Sequence, residues 1–333
     1  MRLPSIAEII AVQKRIAPLV RRTPVISLQG ADGELTLKLE TLQPTGAFKT
    51  RPAAALLTAM TAGERARGVA TASSGNFGIA AASIGAALGA PVTIVVPDDA
   101  PAAKLERLKA LGAHLRIVDG DAWWETVITH RFPGMTGAYL DAVADPVAIA
   151  ANGAIAIELL EDRPEIDAIA VPFGGGGLLC GVAAAVNALR PDVRIIACEA
   201  EFATPLYAAR AVGAPVKITP KPSFISGIGA PSVLPIMWPL LQKCVDECVV
   251  LSLAEIAEAV RRLALDARIV AEGAGAVSVA SALSGRIKAR HIACIVSGGN
   301  IGGQALSEIL AGGVPDQYGR HLAGAKVAEF ASR

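Results

Sequence analysis

Short apolar runs alternate with longer runs of helical character through most of the chain. Parallel strands joined by helices produce this alternation, because such strands are buried on both faces and read as continuous apolar runs. The pattern predicts an α/β fold with open, twisted, mostly parallel sheets and helices on both faces. The predicted strands are 35–40, 68–71, 92–96, 114–118, 168–171, 194–199 and 291–296, and the predicted helices are 50–66, the segment after Asn76, 102–113 and 178–189.

The longest uncharged run covers residues 77–97 and raises the question of a membrane span. It is long enough to cross a bilayer, but Gly85, Gly89 and Pro91 divide it into a helix, a turn and a buried strand. The N-terminal segment carries Glu8 and lacks the apolar core of a secretory signal. We therefore expect a soluble, cytoplasmic protein with no membrane contact.

Length, charge and cysteine content narrow the class further. The 333 residues suit one large domain or two intimate ones, and the net charge of +1 provides no field for nucleic acid. Five dispersed cysteines argue against a disulfide framework. Cys244 and Cys248 are four positions apart, but the four histidines complete no metal-binding spacing, so we interpret both as ordinary thiols.

Polar or glycine-rich turns follow three of the predicted strands. Their sequences are TASSGNFG at 71–78, PFGGGGL at 172–178 and SGGNIGG at 297–303. Open α/β sheets bind ligands beyond the carboxyl ends of their strands. We predict that the three turns converge on one crevice.

Four consecutive glycines, Gly174 to Gly177, give the strongest signal for an anion. They allow the backbone amides to approach a ligand, and the predicted helix that follows adds its N-terminal dipole. The segment is not a Walker loop, and it is not the dinucleotide fingerprint in its usual place. A flexible turn is the alternative, but we favour a phosphate site.

The serine turn has two interpretations of equal weight. Ser73 or Ser74 could cap the helix that begins near Asn76, and we expect one of them to do so. Two hydroxyls, an amide and free backbone amides also suit a carboxylate. Ser297 likewise could cap, or could donate a hydrogen bond to a ligand heteroatom.

Lys49 lies in GAFKT, between Phe48 and Thr50, just before a predicted alanine-rich helix. Most lysines are solvated, but a lysine held among apolar groups near a phosphate has a tuned pKa and can form a Schiff base. Together with the glycine loop, Lys49 predicts a cofactor that is an aldehyde carrying a phosphate.

Five segments occur in the order found in pyridoxal-phosphate enzymes of fold type II: KLETLQPTGAFKTRPA, TASSGNFG, VPFGGGGLLCG, EGAGA and SGGN. The set most resembles the serine/threonine dehydratase and serine racemase branch, from about Ile16 to Gly303. The resemblance implies pyridoxal 5'-phosphate between two domains. The large domain would comprise 1–67 plus 146–333, with a small domain at 68–145.

The resemblance also implies a role for each motif residue. Lys49 would carry the Schiff base and later act as the base at Cα, Phe48 would pack against the cofactor ring, and Asn76 would bind the ring hydroxyl. Ser297 would face the pyridine nitrogen. The cofactor phosphate would be held by Gly174, Gly175, Gly176 and Gly177.

The substrate would bind at the serine turn. Ser73, Ser74, Gly75 and Asn76 would take the carboxylate of an amino acid. In racemases of this branch, the serine that matches Ser74 is the acid/base on the opposite face.

The function implied is a dehydratase that converts a 3-hydroxy amino acid, such as threonine, serine or an analogue, to a 2-oxo acid and ammonia. An amino-acid racemase is the alternative within enzymes, and a non-catalytic binding protein for pyridoxal phosphate or amino acids is the alternative of another class. Analogy implies a homodimer. Because the chain ends about thirty residues after SGGN, it resembles catabolic dehydratases without a regulatory domain.

Several positions depart from the family pattern. Ala47 and Pro52 flank the lysine, Phe77 replaces a frequent histidine, and the helix entry at 151–154 reads ANGA. We therefore expect a substrate other than plain threonine.

The metal site of this branch is also incomplete. Glu199 and the carbonyl of Ala203 match two of its ligands, but Pro205 stands where a second carboxylate is expected. A site that binds a divalent cation through oxygen atoms would lack one charged ligand here, and we therefore predict no metal site.

Overall fold

The computed structural model describes residues 1–30, 33–100 and 102–316, and within these ranges the strands form two sheets. The strands are β1 (Val25–Gln29), β2 (Glu34–Leu39), β3 (Val69–Ala72), β4 (Val92–Pro97), β5 (His114–Val118), β6 (Ala138–Tyr139), β7 (Ala168–Pro172), β8 (Arg194–Ala200), β9 (Glu247–Leu251) and β10 (Ile292–Val296). The helices are α1 (Ile6–Ile16), α2 (Thr50–Ala59), α3 (Ala62–Ala66), α4 (Asn76–Ala87), α5 (Ala102–Ala110), α6 (Gly120–Thr129), α7 (Pro146–Asp162), α8 (Gly177–Leu189), α9 (Pro205–Val212), α10 (Trp238–Cys244), α11 (Leu253–Leu265), α12 (Gly273–Leu283) and α13 (Gly303–Leu310).

The larger sheet has the order β1-β2-β10-β7-β8-β9, and the smaller sheet has the order β5-β4-β3-β6. Only the β1–β2 pair is antiparallel among the described strand pairs. Every residue of β7 and β10 is buried, as their continuous apolar sequences require. The predicted α/β class with mostly parallel sheets is confirmed.

The smaller sheet is built from residues 69–139, a continuous segment between two parts of the larger sheet. This arrangement brings the carboxyl ends of β3, β7 and β10 toward one cleft. The domain boundaries at 68 and 145 stay a prediction.

The single helix predicted for residues 50–66 is wrong, because the chain forms two helices there. α2 ends at Ala59, and Thr61 starts α3 with a capping box. The Thr61 hydroxyl accepts from the Glu64 amide at 3.2 Å, and the Thr61 amide donates to the Glu64 carboxylate at 2.7 Å. This reciprocal cap satisfies the free amides of a new helix start.

A buried ion cluster anchors the first turn of α2. Arg51 is fully buried and donates hydrogen bonds to both carboxylate oxygens of Glu40 and of Glu158. Lys38 donates to Glu158 at 2.6 Å. Because Lys49 immediately precedes α2, the cluster also fixes the backbone from which that lysine extends.

Among the described residues, the helices are all too short or too polar to cross a membrane.

Candidate active site

A cavity of about 1250 Å³ lies in the cleft between the two sheets. The three turns that follow β3, β7 and β10 all line it, at 71–77, at 174–178, and at 297 with 299–303. Lys49 lines the same cavity. The structure therefore brings together every residue that the sequence analysis singled out for the cofactor and the substrate.

Short backbone contacts hold Lys49 at the end of β10. Ala47 and Gly298 form an antiparallel bridge, and the Phe48 amide donates to the Ser297 carbonyl at 2.9 Å. Lys49 is the N-cap residue of α2, and the buried ion cluster fixes the position of that helix. The lysine side chain extends from a backbone that is held on both sides.

Aromatic rings surround the Lys49 amine. Its Nζ lies 5.0 Å from the ring centroid of Phe48 and 5.8 Å from that of Phe77. Burial lowers the pKa of Lys49 to about 8, and the carboxylate of Asp141 opposes this shift. A substantial fraction of the amine is therefore neutral near physiological pH, as nucleophilic attack on an aldehyde requires.

The glycine loop forms a tight turn between β7 and α8. Gly176 has a φ of 95°, in the left-handed region that favours glycine, and it caps α8. A Cβ on Gly177 would lie 2.7 Å from the Val143 carbonyl oxygen. A side chain at Gly177 has no room, and the four glycines line the cavity at the start of α8, an arrangement that suits an anion.

The serine turn leaves the start of α4 without a side-chain cap. The N-cap is Gly75, and neither serine caps the helix, so the expectation of a serine cap was wrong. The Ser73 hydroxyl instead accepts from the Gly75 amide at 3.4 Å. The first amides of α4 thus remain available to an anion in the cavity, which favours the carboxylate interpretation of this turn.

Asn76 takes part in a hydrogen-bond chain across the cleft. Its Nδ2 donates to Glu272 at 2.5 Å, and its Oδ1 accepts from Asn300 at 2.7 Å. Asn300 in turn accepts from Arg107 of α5 at 2.9 Å. Burial raises the pKa of Glu272 to about 7, while the Asn76 hydrogen bond and the charges of Lys104 and Arg107 oppose the rise.

Ser297 lies at the carboxyl end of β10, buried against the start of α12. Its hydroxyl donates to the Ala274 carbonyl at 3.3 Å and borders the cavity. It therefore offers a neutral hydroxyl, and no charge, to a ligand.

The family model described as pyridoxal-phosphate dependent enzyme matches residues 16–298 of this chain. The chain belongs to this family. L-threonine ammonia-lyase of Thermotoga maritima is 34% identical over 313 residues, 92% of this chain and 78% of that protein. Serine racemase of Oryza sativa subsp. indica is 35% identical over 301 residues, 87% of this chain and 88% of that protein.

Solved structures of related pyridoxal-phosphate enzymes have the same fold. Maize serine racemase superposes with a TM-score of 0.82 at 31% identity, covering 93% of this chain and 98% of that one. The processed form of threonine deaminase isoform 2 from Solanum lycopersicum gives a TM-score of 0.80 at 25% identity, covering 93% of this chain and 90% of that one.

The residues present fit the cofactor of this family. The Lys49 amine suits its aldehyde, and the side-chain-free turn at 174–177 suits its phosphate. Ser297 and Asn76 present a hydroxyl and an amide on the walls between them. The individual roles of these residues, and of Phe48 beside the amine, stay predictions.

The residues around Glu199 do not fit a metal ion. Both carboxylate oxygens accept backbone hydrogen bonds at the start of α9, from Leu206 at 2.9 Å and Tyr207 at 2.8 Å. The Cys248 thiol also lies 3.4 Å from this carboxylate. In the described ranges, no cluster of three or more His, Cys, Asp or Glu side chains could hold a metal.

Sequence reasoning missed several residues of the cavity. Glu272 and Asn300 belong to the quoted EGAGA and SGGN segments. Those segments supported the family resemblance, but they predicted no role for either residue. No local pattern marks the wall residues Trp123, His130 and Asp141, which reach the cavity only through the fold.

Proposed function

We propose that this protein is a pyridoxal-phosphate-dependent ammonia-lyase that acts on a 3-hydroxy amino acid. The substrate loses its Cα proton and its β-hydroxyl as water, and the resulting enamine hydrolyses to a 2-oxo acid and ammonia. The observation that carries the proposal is the buried Lys49 amine, which shares one cavity with the glycine loop and the uncapped start of α4. Relatives named L-threonine ammonia-lyase support it.

Lys49 is the base at Cα. When bound, pyridoxal phosphate withdraws electrons from Cα and so acidifies its proton. With a pKa of about 8, roughly a quarter of the lysine is neutral at pH 7.5, against about one part in a thousand for a free lysine. Burial thus provides the neutral amine that general-base catalysis needs.

The serine turn orients the substrate. Ser73, Ser74 and the amides at the start of α4 bind the carboxylate, which places Cα on the side of Lys49. Phe77 is buried, and its ring beside the amine excludes water from the proton transfer. Ser297 would face the ring nitrogen of a bound cofactor with a neutral hydroxyl, and the lack of a charge there would favour elimination over racemisation.

The test is 2-oxo acid release from serine, threonine, 3-hydroxyaspartate and phenylserine, in every stereoisomer, by cofactor-loaded protein. We expect release from at least one of them and none from the Lys49→Ala variant. Lys109→Ala is the matched control, since this exposed lysine pairs with Glu106 on the surface of α5. Cofactor-loaded protein that releases no 2-oxo acid from any substrate would refute the proposal.

Racemisation of an amino acid is the second candidate. Ser74 lines the cavity on the serine turn and can supply the second acid/base that racemisation requires. Relatives named serine racemase favour it. A non-catalytic binding protein is disfavoured, because such a protein has no use for a buried reactive amine.

We also propose a homodimer located in the cytoplasm. Light scattering on the purified protein tests the homodimer, and the mass of a monomer would contradict it.

A further inference from the structure

We infer that the natural substrate carries an aromatic group on its β-carbon, as phenylserine does, and that helix α6 provides its pocket. The pocket, called here the α6 wall, consists of Trp123, Val127, His130 and Tyr139. The inference rests on the proposed β-elimination and specifies its substrate class.

The size of the cavity is the first argument. Pockets for drug-sized ligands have volumes of about 300–1,000 Å³, and this cavity reaches about 1250 Å³. The cofactor would occupy the part between Lys49 and the glycine loop. The cavity also extends past Lys49 and the glycine loop to α6, so a group larger than the β-methyl of threonine can reach that wall.

The α6 wall is aromatic and lies on the cavity. Trp123 and Val127 are one turn apart on α6, and both are half-buried and border the cavity. His130 follows at the end of the helix, and its ring stacks on that of Tyr139 at 4.5 Å and an interplanar angle of 7°. Flat rings and apolar carbons of this kind recognise an aromatic ring by stacking and burial.

The charges that line the cleft disfavour an acidic substituent. The two cations of α5 that line the cavity are engaged near the start of α12 and the turn after β10, since Arg107 donates to Asn300 and both Arg107 and Lys104 act on Glu272. The carboxylate of Asp141 adjoins the α6 wall, since it lies 3.7 Å from Nε2 of His130. A second carboxylate, as in 3-hydroxyaspartate, would be repelled there.

Binding measured without turnover tests the pocket by itself. Phenylalanine and 2-aminobutyrate lack the β-hydroxyl, so they match phenylserine and threonine but cannot be dehydrated. One methylene in an apolar pocket changes affinity by about 10–200-fold, so calorimetry on cofactor-loaded protein should show phenylalanine binding at least about tenfold tighter in its preferred enantiomer. Equal or tighter binding of 2-aminobutyrate would overturn the inference.

Substitutions locate the pocket. Trp123→Ala should weaken phenylalanine about tenfold or more and change 2-aminobutyrate by less than about threefold. Val127→Phe fills the wall without leaving a void and should give the same selective loss. The matched control is Trp124→Ala, because Trp124 is the exposed neighbour on α6 and does not border this cavity. Unchanged phenylalanine affinity in both wall variants would overturn the inference.

Turnover separates this inference from the function on which it rests. Release of 2-oxo acid from phenylserine with a higher kcat/KM than from threonine supports both. Release from threonine with a kcat/KM tenfold above that of phenylserine overturns the aromatic pocket and leaves the ammonia-lyase in place. Tight phenylalanine binding that depends on Trp123, with no release from any substrate, supports the pocket and refutes β-elimination.

Discussion

Replacing Arg51 by leucine tests whether the buried ion cluster holds the start of α2, and with it Lys49. The cluster contains two cations, Arg51 and Lys38, and two carboxylates, Glu40 and Glu158, all of them buried. Arg51 makes four hydrogen bonds of 2.7–2.8 Å to the two carboxylates. Leucine removes all four and leaves one ammonium with two buried carboxylates.

The cost follows from the uncompensated charge. Removing one member of a buried ion pair destabilises a protein by about 3–5 kcal/mol. For a chain of this size each kcal/mol lowers Tm by about 2 °C, so we expect a loss of about 6–10 °C. Arg22→Leu is the control, because Arg22 pairs with Glu161 and Asp162 at the surface, where such pairs contribute about 0–1 kcal/mol.

The loss of stability in Arg51→Leu should depend on pH, in a direction that Glu40 determines. Burial alone would raise the pKa of Glu40, but the charge and hydrogen bonds of Arg51 outweigh it and hold that pKa below its usual value. The stability contributed by Glu40 is therefore present above the unfolded pKa of about 4.5 and is lost as the pH falls through the folded value. Without Arg51 the folded pKa rises instead, so the deficit should shrink as the pH falls from 7 toward 5.

Thermal unfolding of both variants at one fixed cofactor concentration measures these differences, since bound ligand adds to apparent stability. An Arg51→Leu variant that melts within about 2 °C of the Arg22→Leu variant would refute the reasoning.

Three further predictions concern the site. The rate at which cofactor-free protein acquires pyridoxal phosphate should rise through pH 8, because burial lowers the pKa of Lys49 to about 8 and only the neutral amine attacks the aldehyde. Near-visible absorbance measures this rate, and a rate that does not change between pH 7 and 9 would contradict the prediction. Chelation with EDTA and readdition of Mg²⁺ should leave Tm and activity unchanged, because both oxygens of Glu199 are engaged by the start of α9; activity lost to EDTA and restored by Mg²⁺ would show a metal site. Ser74→Ala should abolish any racemisation, measured by chiral chromatography, while 2-oxo acid release from one enantiomer persists; racemisation that survives the substitution would assign the second acid/base elsewhere.

Burial separates most of the strands that the sequence predicted from those that it did not, and the exception is β5, an exposed edge strand that was predicted. Those buried on both faces, such as β4, β7 and β10, have continuous apolar sequences, and their predicted positions agree within one residue with those observed. The strands without a prediction, β1, β6 and β9, all lie at sheet edges. β1 is partly exposed along its length, so its sequence carries no continuous apolar run.

Some residues of the candidate site are marked by local sequence, and others come together only through the fold. Lys49, the glycine loop and Ser297 lie in short segments next to strand ends, so local sequence is enough to mark them. Glu272 reaches Asn76 across 196 positions of the chain, and that contact exists only once the two sheets are in place. The α6 wall is the same kind of feature, because Trp123, Val127, His130 and Tyr139 border the cavity only once the fold is in place.

The most direct test of the central claim follows three quantities in one reaction: ammonia, 2-oxo acid and the configuration at Cα of the remaining substrate. The account predicts that cofactor-loaded protein given phenylserine or threonine releases ammonia and 2-oxo acid in equal amounts, and that Lys49→Ala releases neither. Inversion at Cα, seen as the second diastereomer of the substrate, without ammonia would contradict the ammonia-lyase and identify a racemase in its place.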